Sequence, residues 1–549
     1  MLSTIRKPLA VLTATGLLSL AACSGAQEDK QQQASNAITI FAPQGPEYDL
    51  ANSTFTRHLQ QKFGIKLQFE TTTYDAAAAK EKRQISLASG DFPDVYMLIA
   101  WVDVFSQSEL LRLAKQGVPV PLNDLIDKYA PNIKKAFEQS PEYKKMATAP
   151  DGKIYGLPQW NDCFHCSYSA KLWMNSAWLK KLNLKQPTTT EEMREVLKAF
   201  KTKDPNGNGK ADEIPLSGST SDTLLSYFMN AFLYDPQAGG TYPSTLALGN
   251  GKVQYQPAQP GWREGLRYVA SLYKDGLIDK GAFTQNRDAL KATGSKADAA
   301  IVGAATVQHP GILVSDGLKD DRRKHYDAVP PLAGPTGVRY TAYNLPSVPG
   351  AAFVITSKAS EQTRISAIKM LDYVFTTEGH LLGEFGDEGV WWTKPGPGDV
   401  ALDEKLTPLF KTIPAKPDVQ ADKAARPWGA MAQYYAPKEF RNAQVQATDV
   451  YSPDGYERRL FDATKLYEGK EPKDQIYPYW NVWISPDVAN EVATLQTNIE
   501  NFATQSSLQF VTGQKNIDDD VAWNAYLKGL NDLGLPRYLE LQQQAYQGR

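Results

Sequence analysis

One predicted helix ends and one predicted strand begins within the stretch Ser89-Gly90-Asp91-Phe92-Pro93-Asp94-Val95-Tyr96-Met97. Its Gly and Pro break the helix, and the apolar run that follows is typical of a buried strand. Towards the N-terminus, helical patterns at 74–89 and 54–63 alternate with strand patterns at 66–70 and 37–42. Strand, helix, strand, helix, strand is the order of an α/β domain with a largely parallel sheet.

The composition is that of a folded protein with more than one domain. The chain has 549 residues, of which 42% are hydrophobic and 22% are charged, and this length suits two or three domains. The 59 Lys and Arg balance the 61 Asp and Glu, whereas a nucleic-acid binder usually has a basic excess. Three Cys and five His exclude a disulfide-stapled scaffold and argue against a large zinc- or haem-dependent chemistry.

The N-terminus predicts export and a lipid anchor. A basic start precedes an apolar run at 9–20 that is too short to span a bilayer. The run ends in Leu20-Ala21-Ala22-Cys23, which resembles a bacterial lipobox, whose Cys becomes the lipidated first residue. We therefore expect a signal peptide at 1–22, a lipid on Cys23 and a flexible tether at 23–37. The alternative is an ordinary secretory signal with a chance Cys. No later apolar run is long enough for a transmembrane helix.

Six segments, in order along the chain, carry a family resemblance. They are Ser89–Val95; Leu172–Asn175 with Trp178–Leu182; Gly261–Leu266 with Leu272–Asp279; Thr377–Gly379; Phe510–Gly513; and Leu535–Leu539. Together they resemble the large lipoprotein branch of the family 1 bacterial extracellular solute-binding proteins, which includes alginate-binding proteins of ATP-driven (ABC) sugar importers. Each segment alone is weak evidence for this family, but the occurrence of all six in the same order is specific to it.

The resemblance implies an α/β, two-lobed fold like that of periplasmic binding proteins, with a hinge and a central ligand cleft. It implies a first lobe of 38–165 with 327–376 and a second lobe of 166–326 with 377–549. The chain would cross between the lobes near residues 165, 326 and 376.

A loop at 204–213 has the spacing of an EF-hand calcium loop. Oxygen-bearing side chains fall at loop positions 1, 3, 5 and 9, and Gly is at position 6. Pro215 replaces the usual Glu of position 12, and Glu213 is the substitute that the resemblance to alginate-binding proteins implies. The predicted ligands of a structural calcium ion are the side chains of Asp204, Asn206, Asn208, Asp212 and Glu213 and the carbonyl of Lys210. The alternative is a solvated turn without an ion.

Cys163 and Cys166 form a C-x-x-C pair close to the first expected crossing. We expect a short structural disulfide, because an exported protein meets an oxidising environment. A redox site, half of a zinc site completed by His165 and remote residues, and two packed thiols are the alternatives.

Sugar rings present apolar C–H faces, so sugar sites combine flat aromatic platforms with polar groups at the rim. Several residues in loops or at the ends of regular elements are candidates for such a site. They are Trp101, Trp160, Gln308, His309, Trp391, Trp392 and Trp428.

No catalytic motif of a serine hydrolase, zinc protease, phosphate-loop enzyme or dinucleotide enzyme is present in the sequence. We therefore expect a monomeric, lipid-anchored receptor outside the cytoplasm that binds an oligosaccharide and delivers it to a membrane permease. The alternatives are a polysaccharide-degrading enzyme with a structural calcium, or the same receptor fold with a peptide or other polar ligand.

Overall fold

The computed structural model describes residues 37–222, 224–237, 245–296 and 299–549. The predicted signal peptide, Cys23 and the tether up to residue 36 lie outside the described residues. The described strands are β1 (Ala37–Pro43), β2 (Lys66–Thr72), β3 (Val95–Met97), β4 (Trp160–Asn161), β5 (Leu172–Asn175), β6 (Ile214–Ser217), β7 (Leu246–Gly249), β8 (Lys252–Tyr255), β9 (Val302–Thr306), β10 (Tyr326–Val329), β11 (Phe353–Ile355), β12 (Trp392–Thr393), β13 (Lys411–Thr412) and β14 (Tyr435–Ala436).

The described α-helices are α1 (Thr54–Phe63), α2 (Ala76–Ser89), α3 (Gln107–Lys115), α4 (Asn123–Tyr129), α5 (Pro131–Gln139), α6 (Pro141–Ala147), α7 (Phe164–Ser167), α8 (Ser176–Lys181), α9 (Thr190–Thr202), α10 (Leu224–Met229), α11 (Pro260–Lys274), α12 (Arg287–Gly294), α13 (Pro310–Leu313), α14 (Glu361–Val374), α15 (Thr377–His380), α16 (Pro417–Ala421), α17 (Lys438–Asn442), α18 (Tyr456–Lys465), α19 (Ala489–Val511), α20 (Asp520–Asp532) and α21 (Leu535–Gln547). Each helix in the described part of the chain is too short or too polar to span a bilayer.

The first lobe is built on a four-stranded sheet in the order β11-β3-β1-β2. β1 is parallel to β2 and β3, while β11 is antiparallel to β3. Local sequence sets the ends of the crossover helices: the side chains of Ser53 and Asp75 accept backbone N–H groups of the first turns of α1 and α2. Gly64, with φ of 62°, ends α1 in the left-handed conformation that glycine favours. This confirms the predicted α/β class.

The second lobe is built on a sheet in the order β10-β5-β9-β6. β6 and β9 are parallel, and β5 is antiparallel to β9 and β10. Helix α9 begins after Thr189, whose side chain accepts the backbone N–H of Glu192, and it buries Met193, Leu197 and Phe200. This buried stripe is the one that the 3.6-residue period of the sequence predicts.

Two large hydrophobic cores show where the chain passes between the lobes. The first core includes Trp160 and the second includes Phe164, so the first passage lies between these two residues. The second passage lies later than the expected crossing near 326. β10 still pairs with β5, and Leu332 still packs in the second core. The chain joins the first core again at Ala351.

The expected assignment of 377–549 to the second lobe differs from the structure. Trp428 and Tyr435 pack in the first core, and β14 pairs with β4. A small separate core, which includes Trp392 and Phe410, lies between α15 and α17 in sequence. The chain enters the second-lobe cores at Leu460 and Phe461. The sequence did not reveal this return, because aromatic side chains are buried equally well in either lobe.

The strand ends of both sheets face one gap between the lobes. The turn after β3 and the residues at the end of β9 border the same cavity, together with the segment after β6. In open α/β sheets, ligands bind outside the carboxyl ends of the parallel strands. The fold therefore places the candidate site in this gap.

Candidate ligand-binding cleft

The gap between the lobes contains a cavity of about 220 Å³. The first lobe contributes Trp101 and Gln159, and the second contributes Lys171, Asp222, Arg287 and Thr306. The connecting segment 344–348 forms part of the wall. Most of these side chains are polar, and Trp101 is the one aromatic residue among the residues that line the cavity. This combination is typical of a site for a polar small molecule.

Trp101 supplies the aromatic surface of the cleft. It lies in a turn after β3 and is 58% exposed, the largest exposed fraction of any tryptophan in the described chain. Tyr74 packs edge-on against the indole, with ring centroids 5.2 Å apart. Gln159 holds the preceding residue: its Oε1 accepts Ala100 N at 2.8 Å, and its Nε2 donates to Ala430 O at 2.8 Å. The indole is thus an exposed platform on a fixed turn.

Asp222 and Arg287 form the main charged pair of the cleft. Arg287 donates Nε to Asp222 Oδ2 at 2.9 Å and Nη2 to Oδ1 at 2.8 Å. The Asp222 side chain is 4% exposed, whereas that of Arg287 is 43% exposed. The hydrogen bonds to Asp222 raise the pKa of Arg287. The pair is internally neutralised and keeps the guanidinium edge available to a ligand.

Two buried polar atoms in the cleft wall have no hydrogen-bond partner among the described residues. They are Asn161 Oδ1, from the first lobe, and Thr306 Oγ1, from the second lobe. Buried polar groups normally have partners, since an unpaired group costs about 1–3 kcal/mol. Both residues line the cavity, but these two oxygen atoms have almost no accessible surface of their own.

The C-x-x-C segment forms a rigid part of the wall. Cys163 and Cys166 are joined by a disulfide, and Cys166 lines the cavity. The Lys171 ammonium donates to the carbonyls of His165, at 2.9 Å, and of Tyr168. Burial lowers the pKa of Lys171 to about 7. With both sulfurs bonded to each other, the pair offers no thiolate to a zinc ion.

A buried polar network supports Gln433, which also lines the cleft. Gln433 Nε2 donates to Glu384 Oε1 at 2.7 Å, and Arg441 Nη1 donates to the same oxygen at 3.0 Å. Burial would raise the pKa of Glu384, but the hydrogen bond with His380 and the charge of Arg441 outweigh burial and lower the pKa to about 2. The carboxylate therefore stays charged and holds Gln433 in place.

The predicted binding residues fall into different parts of the molecule. Gln308 lines the cleft with Trp101. His309 is next to the cleft, and its Nδ1 lies 3.0 Å from Tyr456 Oη. Burial, together with the charge of His165, lowers the pKa of His309 to about 4. Trp391 is half-buried and lies outside the cavity wall, with its Nε1 donating to Ala425 O at 3.2 Å.

Three of the predicted tryptophans are buried in hydrophobic cores. Trp160 is 6% exposed, because Gln159 and Asn161 face the cleft and alternation along the strand turns the indole away. Trp392 is 7% exposed and donates Nε1 to Gly386 O at 2.7 Å. Trp428 is fully buried and donates Nε1 to Thr56 Oγ1 at 2.8 Å. The prediction that Trp428 is a ligand platform is wrong, since no face of its indole is accessible.

Sequence reasoning missed the charged pair and the wall residues. Asp222 follows β6 by a few residues, so the strand-end rule that favours Trp101 would also have favoured it. The orientation of Asn161 towards the cleft follows from the alternation of side chains along a strand, once β4 is known. Arg287 begins α12 far along the chain from Asp222, and no local signal links the two.

The loop at 204–213 has the turns that its spacing predicts. Asp204 Oδ1 accepts Gly207 N at 2.9 Å and Asn208 N at 3.1 Å, and Asp204 Oδ2 accepts Gly209 N at 3.1 Å. Glu213 Oε1 is buried without a hydrogen-bond partner among the described residues. Burial raises the pKa of Glu213, and the charges of Asp204 and Asp212 raise it further. An orphaned carboxylate oxygen in a loop with two further acidic residues, Asp204 and Asp212, fits a hard divalent cation.

A larger cavity of about 1330 Å³ also lies between the lobes, bordered by α3 and residues 145–155 of the first lobe and by residues 481–488 and α21 of the second. It borders helix surfaces and loops rather than the ends of parallel strands. We assign no ligand to it.

The fold and the cleft define a two-lobed binding protein, and comparison with known proteins identifies its class. The family of bacterial extracellular solute-binding proteins matches residues 48–380, so the chain belongs to this family.

Individual relatives agree with this class. The chain is 29% identical over 536 residues to the fructooligosaccharide ABC transporter substrate-binding protein FusA of Streptococcus pneumoniae, covering 95% of this chain and 90% of FusA. The structure of FusA in complex with kestose has a TM-score of 0.67 and 25% identity, covering 93% of this chain and 99% of that one. An extracellular solute-binding protein from Bifidobacterium longum subsp. infantis has a TM-score of 0.76 and 22% identity, covering 94% and 98%.

Two further solved structures are similar to this chain. One is an EF-hand mutant of FusA in complex with fructo-nystose, with a TM-score of 0.67 and 24% identity over 93% of this chain and 99% of that one. The other is the alginate-binding protein AlgQ2 without calcium ion, with a TM-score of 0.62 and 23% identity over 95% and 100%. Both share the fold of this chain.

Proposed function

We propose that this protein is the oligosaccharide receptor of an ATP-driven importer and presents its ligand to the membrane permease. The observation that carries the proposal is an exposed tryptophan between two lobes, faced by polar groups from both. Trp101 supplies a stacking surface, and Asn161 from the first lobe and Gln308 and Arg287 from the second line the cavity with polar groups. A ligand that contacts both lobes stabilises their closed arrangement, because it binds that arrangement more tightly than the open one.

The charges in the cleft favour a neutral sugar. Arg287 is paired with Asp222, and Lys171 is engaged by two carbonyls. The two basic residues that would favour a uronate, Arg426 and Lys394, do not line the cavity. A carboxylate on the ligand would have to compete with Asp222 for Arg287. We therefore propose a neutral oligosaccharide rather than an acidic one.

Binding without catalysis agrees with the relatives. FusA is an ABC transporter substrate-binding protein, and its structure was solved in complex with kestose. The proposal is that this chain likewise binds and releases its sugar unchanged. Incubation with a panel of polysaccharides, followed by a reducing-end assay, checks this; sugar release above the protein-free control would contradict it.

A thermal-shift screen tests the proposed ligand class. The panel contains neutral oligosaccharides derived from fructan, starch, mannan and xylan, uronate oligomers and short peptides. A neutral oligosaccharide should raise the Tm, since a ligand that binds only the native state stabilises it by mass action. Calorimetry then gives the affinity. If uronate oligomers or peptides alone raise the Tm, the proposed ligand class is wrong.

We also propose that a lipid on Cys23 anchors the protein to the membrane, as the lipobox-like sequence Leu20-Ala21-Ala22-Cys23 suggests. The expressed parent should fractionate with membranes, and Cys23→Ser should remain unprocessed or appear in the soluble fraction. A thiol is required for lipid transfer, whereas serine preserves the size of the side chain. Ser24→Ala serves as the matched control. Unchanged processing and membrane fractionation of Cys23→Ser would refute the anchor.

A structural calcium ion in the loop at 204–213 is the third part of the proposal. The loop would hold the ion through Asp204, Asn206, Asn208, Asp212, Glu213 and the carbonyl of Lys210, and the ion would neutralise the three carboxylates of the loop. The orphaned oxygen of Glu213 supports this assignment.

Chelation should lower the Tm of the parent and leave Glu213→Gln unchanged. The amide removes the charge that attracts the ion but keeps the shape of the side chain and the hydrogen bonds of Asp204. At free calcium about a hundredfold above Kd, the ion should stabilise the fold by about 3 kcal/mol. Glu195→Gln, on the exposed face of the preceding helix, is the control and should respond to the chelator like the parent. A parent melting curve that is insensitive to chelator would exclude the ion.

A further inference from the structure

Aromatic rings continue from the cleft across the surface of the first lobe. The edge contact of Trp101 with Tyr74 is followed by Tyr48, whose ring centroid lies 6.3 Å from that of Tyr74. The Arg426 guanidinium lies 6.0 Å from the Tyr48 ring centroid and 5.7 Å from that of Trp391. We call Tyr74, Tyr48, Arg426 and Trp391 the outer stripe.

The outer stripe has the position expected for a ligand surface. Tyr48 follows β1, and Tyr74 follows β2, so both lie at the carboxyl edge of the parallel sheet that also carries Trp101. Ligands bind at this edge in open α/β sheets. Arg426 and Trp391 come from the segment between α14 and Trp428, both of which pack in the first core. These two residues extend the stripe beyond the sheet.

The stripe is held in place, and one of its members, Tyr74, packs against the first hydrophobic core. Trp391 Nε1 donates to Ala425 O, and Arg426 Nη2 donates to Gln420 O at 2.9 Å. Tyr48 and Trp391 are half-buried and lie outside the hydrophobic core clusters of the described chain. Rings with fixed orientations lose little freedom when a ligand stacks on them.

The cleft alone is small for an oligosaccharide. Its volume of about 220 Å³ is below the roughly 300–1,000 Å³ of pockets that enclose drug-sized ligands. A chain of several sugar units bound at Trp101 must therefore project from the cavity. The nearest ring beyond Trp101 is that of Tyr74, which begins the outer stripe.

We propose that the outer stripe binds the sugar units that project from the cleft, so that the protein selects longer oligosaccharides over short ones. This inference rests on the proposed function. The aromatic faces stack on the C–H faces of successive units, and Arg426, which lies over the rings of Tyr48 and Trp391, positions these two rings. The stripe thus sets chain-length preference, while the cleft sets the identity of the sugar.

Calorimetry with two probes tests the stripe. The probes are the trisaccharide kestose and longer inulin oligosaccharides; if the screen finds another sugar, its shortest and longest binding members replace them. The parent should bind the long probe at least about tenfold more tightly than the short one. Trp391→Ala should weaken binding of the long probe by about tenfold, as loss of about 1.4 kcal/mol predicts, and should leave the short probe unchanged.

The matched control is Tyr451→Ala. Tyr451 is another exposed aromatic residue with an arginine, Arg459, over its ring at 5.0 Å, but it does not line the cleft or the stripe. This variant should bind both probes like the parent, and thermal melts should show that Trp391→Ala remains folded. Equal affinity of the parent for both probes, or parent-like binding of the long probe by folded Trp391→Ala, overturns the stripe while leaving the proposed function intact. Failure of the parent to bind any sugar overturns both.

Discussion

Trp101→Ala should abolish most of the sugar binding and leave the fold intact. The indole is the exposed residue of the cleft, and in the proposed function closure of the lobes would remove it from water together with the ligand. Truncation of an aromatic anchor in a desolvated site costs on the order of 2–4 kcal/mol of binding free energy, which corresponds to roughly thirtyfold to a thousandfold in Kd. Because the side chain is 58% exposed, its removal creates no internal cavity. Calorimetry and thermal melts on the same sample measure both effects.

Trp101→Phe is the conservative control and should keep part of the affinity, since a smaller flat ring remains. Parent-like affinity of Trp101→Ala would move the sugar site out of this cleft. A large loss of Tm in the same variant would show instead that the indole supports the fold.

Trp428→Ala should have the opposite signature, with a loss of about 3–5 kcal/mol in the free energy of unfolding. The indole is fully buried, packs edge-on against Phe55 and Phe69 with ring centroids 4.9 and 5.9 Å away, and donates to Thr56. Removal leaves a cavity in the first core and takes away one hydrogen bond of the Thr56 hydroxyl, which still donates to Leu50 O. Urea unfolding monitored by circular dichroism measures the change.

Trp391→Ala is the matched comparison for stability, since it lies in the same part of the chain but outside the large cores. Its unfolding free energy should be close to that of the parent. A stability loss of less than about 1 kcal/mol for Trp428→Ala would mean that the first lobe does not depend on this residue, contrary to its position in the structure.

Local patterns predicted the first lobe well and the arrangement of the site poorly. Helix α1 has the residues that periodicity and capping predict, because its start at Ser53 and its end at Gly64 are local signals. The return of Trp428 to the first core is a contact across hundreds of residues, and its partner Thr56 carries no sequence mark of it.

The candidate site likewise combines residues that local sequence patterns predict with residues that only the fold brings together. Trp101 and Gln308 follow strands, so their place at a strand end could be inferred from the sequence alone. Trp160 was predicted to face the ligand, but a shift of one position along a strand turns a side chain to the opposite face, and Asn161 faces the cleft instead. The pairing of Asp222 with Arg287 depends on how two distant segments meet, which no local pattern records.

The return of the chain to the first lobe has a consequence for how the protein matures. Thr56 and Trp428 are separated by 372 positions, yet they share a hydrogen bond in one core. Contacts of such large sequence separation form late and slow folding. When the chain emerges N-terminus first, this lobe stays incomplete until more than three quarters of the polypeptide has appeared, whereas much of the second sheet is available earlier. Because the first lobe is completed late, its N-terminal part stays incompletely folded during export. A product truncated before Trp428 is therefore a target for proteases and aggregation.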